Sequence, residues 1–496
     1  MTKRITCLIL ITSLINGIFL VGCREYTIEN NNSCNTFDSH ITESTQTGNK
    51  EDDSAKGNTS SENNNFVNQQ SNTSEEQSNP ANDMLNSSEI VSVSQPSSTV
   101  EDNGMKPISE GEWKQEEFYI STFAPISVDS QYMENSLRLC KEAGLNLIEV
   151  RSTSVIEMCK RVGLKTILDI GKWKGNEYTE KSLYTIMSEN QFNSNNIGYY
   201  TWDEVPAGNL KDAKKKNAVI EKYDPARLPY SILYPSYGKI TWNTDYRYDE
   251  YVKDYLDIVN PMVLSFDYYP IHAFGLRSNN VKNVMTCEWW RDMGLMRKLS
   301  NEYNKPFWYY VQSVDIETSS VDYITQPQIA LQLYAGLAYG ADCLSYYLTP
   351  GYIYSKDGKE KTDHFDEGAA LNERIMNIGK LLFARKSEKI YHTGFSATDV
   401  LLGINNKFYL DKLSNSDLIS SAPDDLIISQ FDGEDGKYLL VVNKNYVSSA
   451  VGNLTIKTQK RVSQFNANNG VYTNLGTIDS IKLNIQPGEG VVYIIK

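Results

Sequence analysis

Short apolar runs alternate with longer segments of helical periodicity over much of the chain. Apolar runs bounded by turn residues indicate buried strands, and their alternation with helices indicates parallel βα units. The predicted strands are 118–123, 145–150, 165–170, 197–202, 230–234, 262–266, 307–311 and 343–348. The predicted helices between them include 132–143, 154–162, 210–223, 248–259, 288–303 and 326–338. Eight strands in this order predict a (β/α)8 TIM barrel in a domain spanning residues 109–385.

The pattern changes after a helix predicted at 365–384. Short apolar runs are then separated by turns such as Asp432-Gly433 and Asp435-Gly436, which are typical of hairpins. The predicted strands are 426–431, 437–443, 452–457, 461–465, 482–485 and 490–495. They predict an antiparallel β-sandwich domain over residues 386–496.

A doubly wound open sheet is the alternative for the α/β part. No glycine-rich phosphate loop follows the first predicted strand, so the sequence favours the barrel and indicates no cofactor. The chain has only 4 histidines and neither a CxxC nor an HxxH spacing, so no metal site is expected.

The amino terminus has the pattern of an export signal over residues 1–23. Lys3 and Arg4 precede an apolar run at 5–21, and the run ends in Leu20-Val21-Gly22-Cys23. This ending resembles the lipobox of bacterial lipoproteins, which implies acylation of Cys23 and an anchor on the extracellular face of a bacterial cell membrane. An ordinary signal peptide with an incidental cysteine is the alternative. The following residues, 24–108, are rich in Asn, Ser and Thr and predict a disordered linker.

Composition narrows the choice of ligand. A net charge of −14 argues against a nucleic-acid partner, because such proteins need basic surface. The 33 tyrosines outnumber the 15 phenylalanines, and rings that carry hydroxyls suit a polar, stacking ligand such as a carbohydrate. The sequence leaves the oligomeric state open.

Carboxylates stand where several predicted strands end. Asp203 and Glu204 follow the fourth strand, Asp267 follows the sixth, and Asp169 lies in the third. The carboxyl ends of barrel strands meet on one face, and glycosidic bond hydrolysis uses a pair of carboxyl groups. Two adjacent carboxylates also repel, so one of Asp203 and Glu204 should have the raised pKa that a general acid requires.

Four short motifs resemble the clan-A glycoside hydrolases, most nearly the family 42 β-galactosidase type. They are Gly198-Tyr-Tyr-Thr-Trp-Asp203-Glu204-Val-Pro206, Leu264-Ser-Phe-Asp267-Tyr-Tyr-Pro270, Pro306-Phe-Trp-Tyr-Tyr-Val-Gln312-Ser313, and the helix Gln328-Ile-Ala-Leu-Gln-Leu-Tyr-Ala-Gly-Leu-Ala-Tyr-Gly-Ala341. The resemblance implies a TIM barrel that cleaves sugars, with Glu204 as the acid/base residue at the end of strand four.

The chain departs from that family at two positions. Asp203 stands where the clan usually has asparagine, and Val311 stands where a retaining enzyme carries its nucleophilic glutamate on strand seven. Asp267 is the preferred substitute, since it would face Glu204 across the mouth, and its short side chain favours an inverting mechanism. Asp267 could instead orient a loop or a sugar hydroxyl, and Asp315 and Glu317 beyond strand seven are further candidates.

Aromatic residues near the strand ends predict where a sugar would stack. Together with the glutamine that the strand-seven motif keeps, the predicted substrate-binding residues are Trp202, Tyr234, Tyr268, Tyr269, Trp308, Gln312 and Tyr346.

Two functions remain open from the sequence. One is a surface-anchored glycoside hydrolase of oligosaccharides, with β-galactosides among the candidate substrates. The other is a non-catalytic carbohydrate-binding lipoprotein that has lost the strand-seven nucleophile. A solute-binding lipoprotein would need two similar α/β lobes, which the eight-unit pattern and the β-rich end argue against.

Overall fold

The computed structural model describes residues 5–7, 24–26, 105–123, 130–170, 179–238, 247–273, 288–315, 322–395, 401 and 403–496. Cys23 and most of the predicted linker 24–108 lie outside the described residues. Near the amino terminus, the three-residue strands Ile5–Cys7 and Arg24–Tyr26 pair antiparallel. No helix among the described residues is long and apolar enough to cross a membrane.

Eight parallel strands form the α/β part of the fold. They are β1 Tyr119–Thr122, β2 Leu147–Val150, β3 Lys165–Asp169, β4 Asn196–Trp202, β5 Leu228–Ser231, β6 Leu264–Asp267, β7 Phe307–Gln312 and β8 Ala341–Tyr347. Each lies within a few residues of its predicted position. One four-stranded sheet has the order β2-β3-β4-β5, and the other has the order β1-β8-β7-β6.

Backbone contacts link the edges of these two sheets. Leu233, after β5, forms a parallel bridge with Phe266 of β6. The N–H of Asn146, before β2, donates to the carbonyl of Ile120 in β1 at 3.0 Å. The eight parallel strands therefore fit a TIM-like α/β fold.

Helices alternate with these strands along the chain. They are α1 Met133–Glu142, α2 Thr153–Val162, α3 Glu180–Asn190, α4 Leu210–Tyr223, α5 Tyr248–Val259, α6 Glu288–Tyr303, α7 Gln326–Ala338 and α8 Phe365–Leu382. The bounds of α4 to α7 coincide with the prediction, whereas α3 was not predicted. Gly163 caps α2 in the left-handed conformation, with φ +78°, as expected for a glycine between a helix and a strand.

The pleat of the strands separates two apolar layers. One cluster takes a buried side chain from most of the strands, including Tyr119, Tyr200, Tyr230 and Trp308. Neighbouring residues in the same strands, such as Tyr199, belong to the larger cluster that includes the helices. Successive strand residues therefore face opposite sides of each sheet, which decides which side chains reach the site.

Among the described residues after α8, seven strands pair antiparallel, and a short helix, Ile404–Lys407, lies between the first two of them. The strands are β9 Ser387–His392, β10 Ile419–Ser421, β11 Leu426–Gly433, β12 Gly436–Asn443, β13 Ala450–Asn466, β14 Val471–Ile485 and β15 Gly490–Ile495. They form one sheet in the order β9-β11-β12-β15-β13-β10, and β14 pairs with β13.

The predicted antiparallel strands are confirmed, and hydrogen bonds join them into one continuous sheet. The long strand β13 pairs with β10 near its start, at Ile456, and with β15 near its end, at Phe465. A register shift between Thr455 and Lys460 interrupts its pairing with β14. Such an irregularity lets a strand bend, so one sheet can enclose an apolar core that two sheets were expected to share.

The C-terminal sheet shares an apolar core with the α/β part. Ile428 and Val441 face the interior of the C-terminal region, whereas Ile427 and Leu440 belong to the same cluster as Leu333 of α7. Both faces of β11 and β12 are thus buried, one of them against the helical layer.

A close backbone approach fixes α6 against the C-terminal region. A methyl group added at Gly294 in α6 would lie 2.1 Å from the carbonyl oxygen of Phe408. Alanine normally stabilises a helix interior by about 1 kcal/mol relative to glycine. We expect Gly294→Ala instead to lower the free energy of unfolding by about 1–3 kcal/mol, because overpacking outweighs that gain.

Gly208→Ala is the matched control, since nothing lies within 4 Å of the methyl group it would add. Denaturant unfolding of both variants measures the difference. Equal stability of the two would contradict the close approach.

Candidate functional site

A cavity of about 180 Å³ lies at the carboxyl ends of the parallel strands. Six of the eight strands, or the residues directly after them, contribute to it. The lining residues are Phe123, Asp203, Glu204, Ile232, Asp267, Tyr269, Tyr310 and Tyr347. Three carboxylates thus converge in one aromatic hollow at the face where parallel α/β folds bind ligands.

The backbone holds Glu204 in an unfavourable conformation. Its φ is +51°, in the left-handed region that a glutamate rarely adopts. The next residue is fixed on both sides: the Val205 N–H donates to the Ile232 carbonyl at 3.0 Å, and the Tyr251 hydroxyl donates to the Val205 carbonyl. Backbone strain of this kind persists where surrounding contacts enforce it, and it is concentrated at functional sites.

Burial raises the pKa of all three cavity carboxyls. For Glu204 the neighbouring Asp267 and Asp203 add to that rise, because like charges disfavour ionisation. Burial and then Asp203 raise the pKa of Asp267, and a hydrogen bond from Tyr269 opposes the rise. Burial also raises the pKa of Asp203, against the hydrogen bond that the Tyr200 hydroxyl donates to its Oδ1 at 2.6 Å. The site therefore holds protons at pH values where ordinary carboxyls have lost them.

Asp267 ends β6 with a side chain that is almost wholly buried. Only 7% of the residue is exposed, and its Oδ1 has no hydrogen-bond partner among the described residues. An unsatisfied buried carboxylate oxygen is costly, so this atom requires a proton or a donor from a ligand.

A hydrogen-bonded floor lies beneath the cavity. The Tyr310 hydroxyl donates to Oε1 of Glu149 in β2, and the Tyr230 hydroxyl donates to the Tyr310 oxygen at 3.1 Å. Tyr230 also bonds to the Ser265 hydroxyl at 2.9 Å. Glu149 is buried, its Oε2 has no partner among the described residues, and burial raises its pKa well above the ordinary range.

An ion pair lies close to the carboxyls. Arg151 contacts Asp169 at 3.8 Å, and its guanidinium carbon is 5.5 Å from the centre of the Phe123 ring. Both members of the pair influence the pKa of Asp203, Arg151 downward and Asp169 upward. Asp169, which the sequence analysis identified as a strand-end acid, is therefore not a lining residue. It influences the cavity through its charge, which raises the pKa of Asp203.

The structure brings four of the predicted site residues together in the cavity. These are the proposed catalytic Glu204, Asp267 and Asp203, and the aromatic residue Tyr269. Tyr269 also packs against Tyr347, with ring centres 5.0 Å apart.

Six predicted substrate-binding residues are not among the residues that line the cavity: Trp202, Tyr234, Tyr268, Trp308, Gln312 and Tyr346. Their positions have separate physical causes.

Trp202 and Tyr346 face the helices. A register shift between Tyr200 and Trp202 alters the alternation at the end of β4, and the Trp202 ring lies under Lys216 of α4 at 4.3 Å. Tyr346 donates to Oδ1 of Asn372 in α8 at 2.6 Å, so its neighbour Tyr347 is the residue that lines the cavity.

Trp308 and Gln312 lie within β7 and have structural partners. Trp308 is near the amino end of its strand, two residues before Tyr310, and its indole N–H donates to Gln115 at 2.9 Å. Gln312 accepts from the Ile271 N–H and donates to the Val314 carbonyl, so its amide joins the short helix Pro270–Ala273 to the residues directly after β7.

Tyr268 and Tyr234 also pack against other residues of the protein. Tyr268 packs edge-on against Tyr237 at 5.0 Å, and its carbonyl accepts from Tyr309. The Tyr234 carbonyl accepts from the Tyr248 hydroxyl, and its ring packs against the larger apolar cluster.

The inward position on strand seven belongs to a residue other than the one expected. Val311 belongs to the apolar cluster shared with the helices, whereas its neighbour Tyr310 lines the cavity. The side chain of Asp315 and all of Glu317 lie outside the described residues. The described part of β7 therefore contributes a phenol to the site in place of a carboxylate.

Sequence reasoning missed Glu149 and three of the aromatic lining residues. Glu149 had a signal: it is a lone carboxylate in the apolar run Leu145-Asn-Leu-Ile-Glu-Val150. Phe123, Tyr310 and Tyr347 had none, because their strands contain adjacent aromatic or apolar residues whose facing depends on register.

A second, larger cavity of about 490 Å³ lies near the amino ends of β7 and β8. Its half-buried acid, Asp342, accepts from the Ala384 N–H at 3.1 Å, and burial raises its pKa to about 7. Glu112, the other acid that lines this cavity, is exposed, so the smaller cavity is the better candidate for carboxyl-group chemistry. Among the side chains that the structure describes, no group of three or more His, Cys, Asp or Glu could hold a metal ion.

Comparisons with known proteins give partial structural likenesses. No family model and no curated protein matches the chain. A candidate α-galactosidase from Bacteroides fragilis has a TM-score of 0.45 and 11% identity, covering 76% of this chain and 79% of that one. The α-galactosidase I from Mortierella vinacea has a TM-score of 0.43 and 10% identity, covering 76% of this chain and 96% of that one. An α-amylase from Anoxybacillus has a TM-score of 0.41 and 11% identity, covering 76% of this chain and 97% of that one. At this level the likenesses carry no weight for function, which has to be inferred from the cavity.

The buried Glu149 makes the stability of the protein depend on pH. Its raised pKa means that the folded state holds a proton that the unfolded chain, with a pKa of roughly 4.3, releases. The free energy of unfolding should therefore fall as pH rises above that value. Glu149→Gln keeps an acceptor for Tyr310 but cannot ionise, so we expect it to be more stable than the wild type at pH 8, with a difference that shrinks towards pH 4.

Thermal unfolding at pH 4, 6 and 8 tests this expectation. The exposed Glu373→Gln on α8 is the control and should show no such trend. If Glu149→Gln stabilises the protein equally at all three pH values, the result would count against a buried, ionisable Glu149.

Proposed function

We propose that this protein is a glycoside hydrolase in which Glu204 is the general acid. The observation that carries the proposal is that Glu204 and Asp267, from the ends of β4 and β6, line one cavity. A carboxyl with a raised pKa can keep its proton until it is delivered to a leaving group. The proposal takes the two parallel sheets to close into a (β/α)8 barrel, and the resemblance to family 42 makes β-galactosides the first substrates to examine.

In the proposed reaction, Glu204 donates its proton to the glycosidic oxygen as the bond from that oxygen to the anomeric carbon breaks. Asp267 accepts a proton from a water molecule whose oxygen attacks the anomeric carbon from the other face. The sugar leaves with a new hydroxyl and the two carboxyls have exchanged protonation states, so a further proton exchange with solvent restores them. The wall formed by Tyr269, Tyr347 and Phe123 suits the apolar face of a sugar ring.

Replacing the proposed acid tests this function. We expect Glu204→Gln to lower kcat/KM for aryl or alkyl glycosides by about 10²–10⁴-fold, since this is the usual contribution of general acid catalysis. Asp267→Asn should cause a loss of similar size. Release of sugar from a panel of glycosides, with β-galactosides included, is the measurement, and Glu373→Gln is the surface control.

Equal activity of Glu204→Gln and the wild type would remove Glu204 from the reaction. A wild type that binds oligosaccharides but cleaves none of them would favour the second function, a non-catalytic carbohydrate-binding lipoprotein. The absence of a carboxylate on the described part of β7 is the observation that supports this alternative.

We also propose that Cys23 is lipidated and anchors the protein on the extracellular face of a bacterial membrane. The support is the sequence Leu20-Val21-Gly22-Cys23 after an apolar run, followed by the polar stretch 24–108.

Cys23→Ser tests the anchor in the full-length protein expressed in a bacterial host. We expect the wild type to fractionate with membranes and the variant to appear in the soluble fraction, because serine lacks the thiol to which the lipid is attached. Cys34→Ser is the matched control, since Cys34 lies within the polar stretch. Membrane association that is unchanged by Cys23→Ser would refute lipidation at this residue.

A further inference from the structure

The cavity carries more acidic groups than hydrolysis needs. Three carboxyls line it, and a fourth, Glu149, lies directly beneath it through Tyr310. Of the cations in the described ranges, Arg151 is the one whose charge acts on the pKa values of this group, and it already contacts Asp169. Burial and mutual repulsion keep protons on part of this group, and a neutral sugar would leave each ionised member without a counter-ion inside the cavity.

An unsatisfied atom shows that a donor is missing. Oδ1 of Asp267 is buried at the cavity wall and has no hydrogen-bond partner among the residues that the structure describes. When Asp267 is ionised, as the proposed reaction requires of it, leaving this oxygen without a donor is costly, so a ligand that brings N–H or O–H groups would satisfy it.

The remaining wall is aromatic. Tyr269 packs against Tyr347 with ring centres 5.0 Å apart, and Tyr347 packs against Phe123 at 5.7 Å. Ring faces attract cations as well as sugar C–H groups, so carboxylates beside aromatic rings form a favourable setting for an ammonium group. The same setting repels uronic acids and other anionic sugars.

We propose that the sugar bound in this cavity is an amino sugar with a free, protonated amino group, and that Asp203 is its counter-ion. This inference rests on the proposed glycoside hydrolase function. Two carboxyls suffice for hydrolysis, which leaves Asp203 as the third. The Tyr200 hydroxyl bonds to Oδ1 of Asp203 at 2.6 Å, which orients the carboxylate, and the half-buried side chain reaches the cavity.

Matched nitrophenyl glycosides test the substrate class. For both the gluco and the galacto series, the probes carry a hydroxyl, an acetamido or a free amino group at C2, and a glucuronide is the anionic probe. At a pH where the amine is protonated, we expect kcat/KM for the better amino sugar to exceed that of its acetamido and hydroxyl counterparts at least about tenfold. The glucuronide should not be cleaved.

Asp203→Asn tests the counter-ion without removing the proposed acid. We expect this variant to lose at least about tenfold of the preference for the amino sugar, measured as the ratio of kcat/KM for the amino sugar to kcat/KM for its hydroxyl counterpart. This ratio is the readout because Asp203 also acts on the pKa of Glu204, so activity on the hydroxyl sugar will change as well. A merely structural role of Asp203 would lower activity on every probe alike and leave the preference unchanged. Such a result, or equal kcat/KM for amino and hydroxyl sugars in the wild type, would overturn the inference.

Binding separates this inference from the proposed function. Titration calorimetry of wild type and Asp203→Asn compares glucosamine and galactosamine oligosaccharides with their N-acetyl forms. Tighter binding of the free amines by the wild type alone, without cleavage of any probe, would support the amino-sugar site and refute the hydrolase. Cleavage of neutral sugars without tighter binding of the free amines would support the hydrolase and refute the amino-sugar site.

Discussion

The alternating direction of side chains along the parallel strands is the constraint on which the site depends. Because successive residues of a strand face opposite sides, each strand divides its side chains between the interior and the helical layer. In β7 this division sends Tyr310 to the cavity and Val311 to the helices, and in β8 it sends Tyr347 to the cavity and Tyr346 to Asn372 of α8. A change of one residue in register would replace the wall of the cavity.

The electrostatic cost of the cavity follows from that arrangement. Side chains that converge at one end of a set of parallel strands lie close to each other and away from water. Asp203, Glu204 and Asp267 are therefore acidic groups in surroundings that disfavour their ionised forms. The buried carboxyls and the strained backbone of Glu204 both destabilise the folded state. Burial of apolar side chains in the two layers offsets both effects.

Much of the fold could be predicted from the sequence, because period and capping signals are local. The eight parallel strands and the bounds of α4 to α7 followed from apolar runs and helical spacing. The helix α3 was not predicted, although Leu183 and Met187 have helical spacing. The continuous C-terminal sheet was missed because β13 pairs with strands that are distant in sequence. Long-range pairing has no local signal.

The candidate site was predictable only in part, for the same reason. The carboxylates Asp203, Glu204 and Asp267 end their strands, and the end of a strand can be found from sequence. The facing of an aromatic residue within a run such as Phe307-Trp-Tyr-Tyr310 depends on strand register and twist, which a run of similar side chains does not specify. Six of the seven predicted substrate-binding residues are therefore absent from the cavity, and Glu149, which lies beneath it, was not predicted.

The shared core of the C-terminal sheet and α7 has a consequence for how such a chain can evolve. Domains that meet through a polar, hydrated boundary are exchanged readily by gene fusion, because each keeps its own interior. Here Ile427 and Leu440 complete the same interior as Leu333, and Gly294 admits the Phe408 carbonyl at a distance that no other residue type would allow. Recombination near residue 386 would bring together surfaces that do not match, so the two parts should be inherited as one unit.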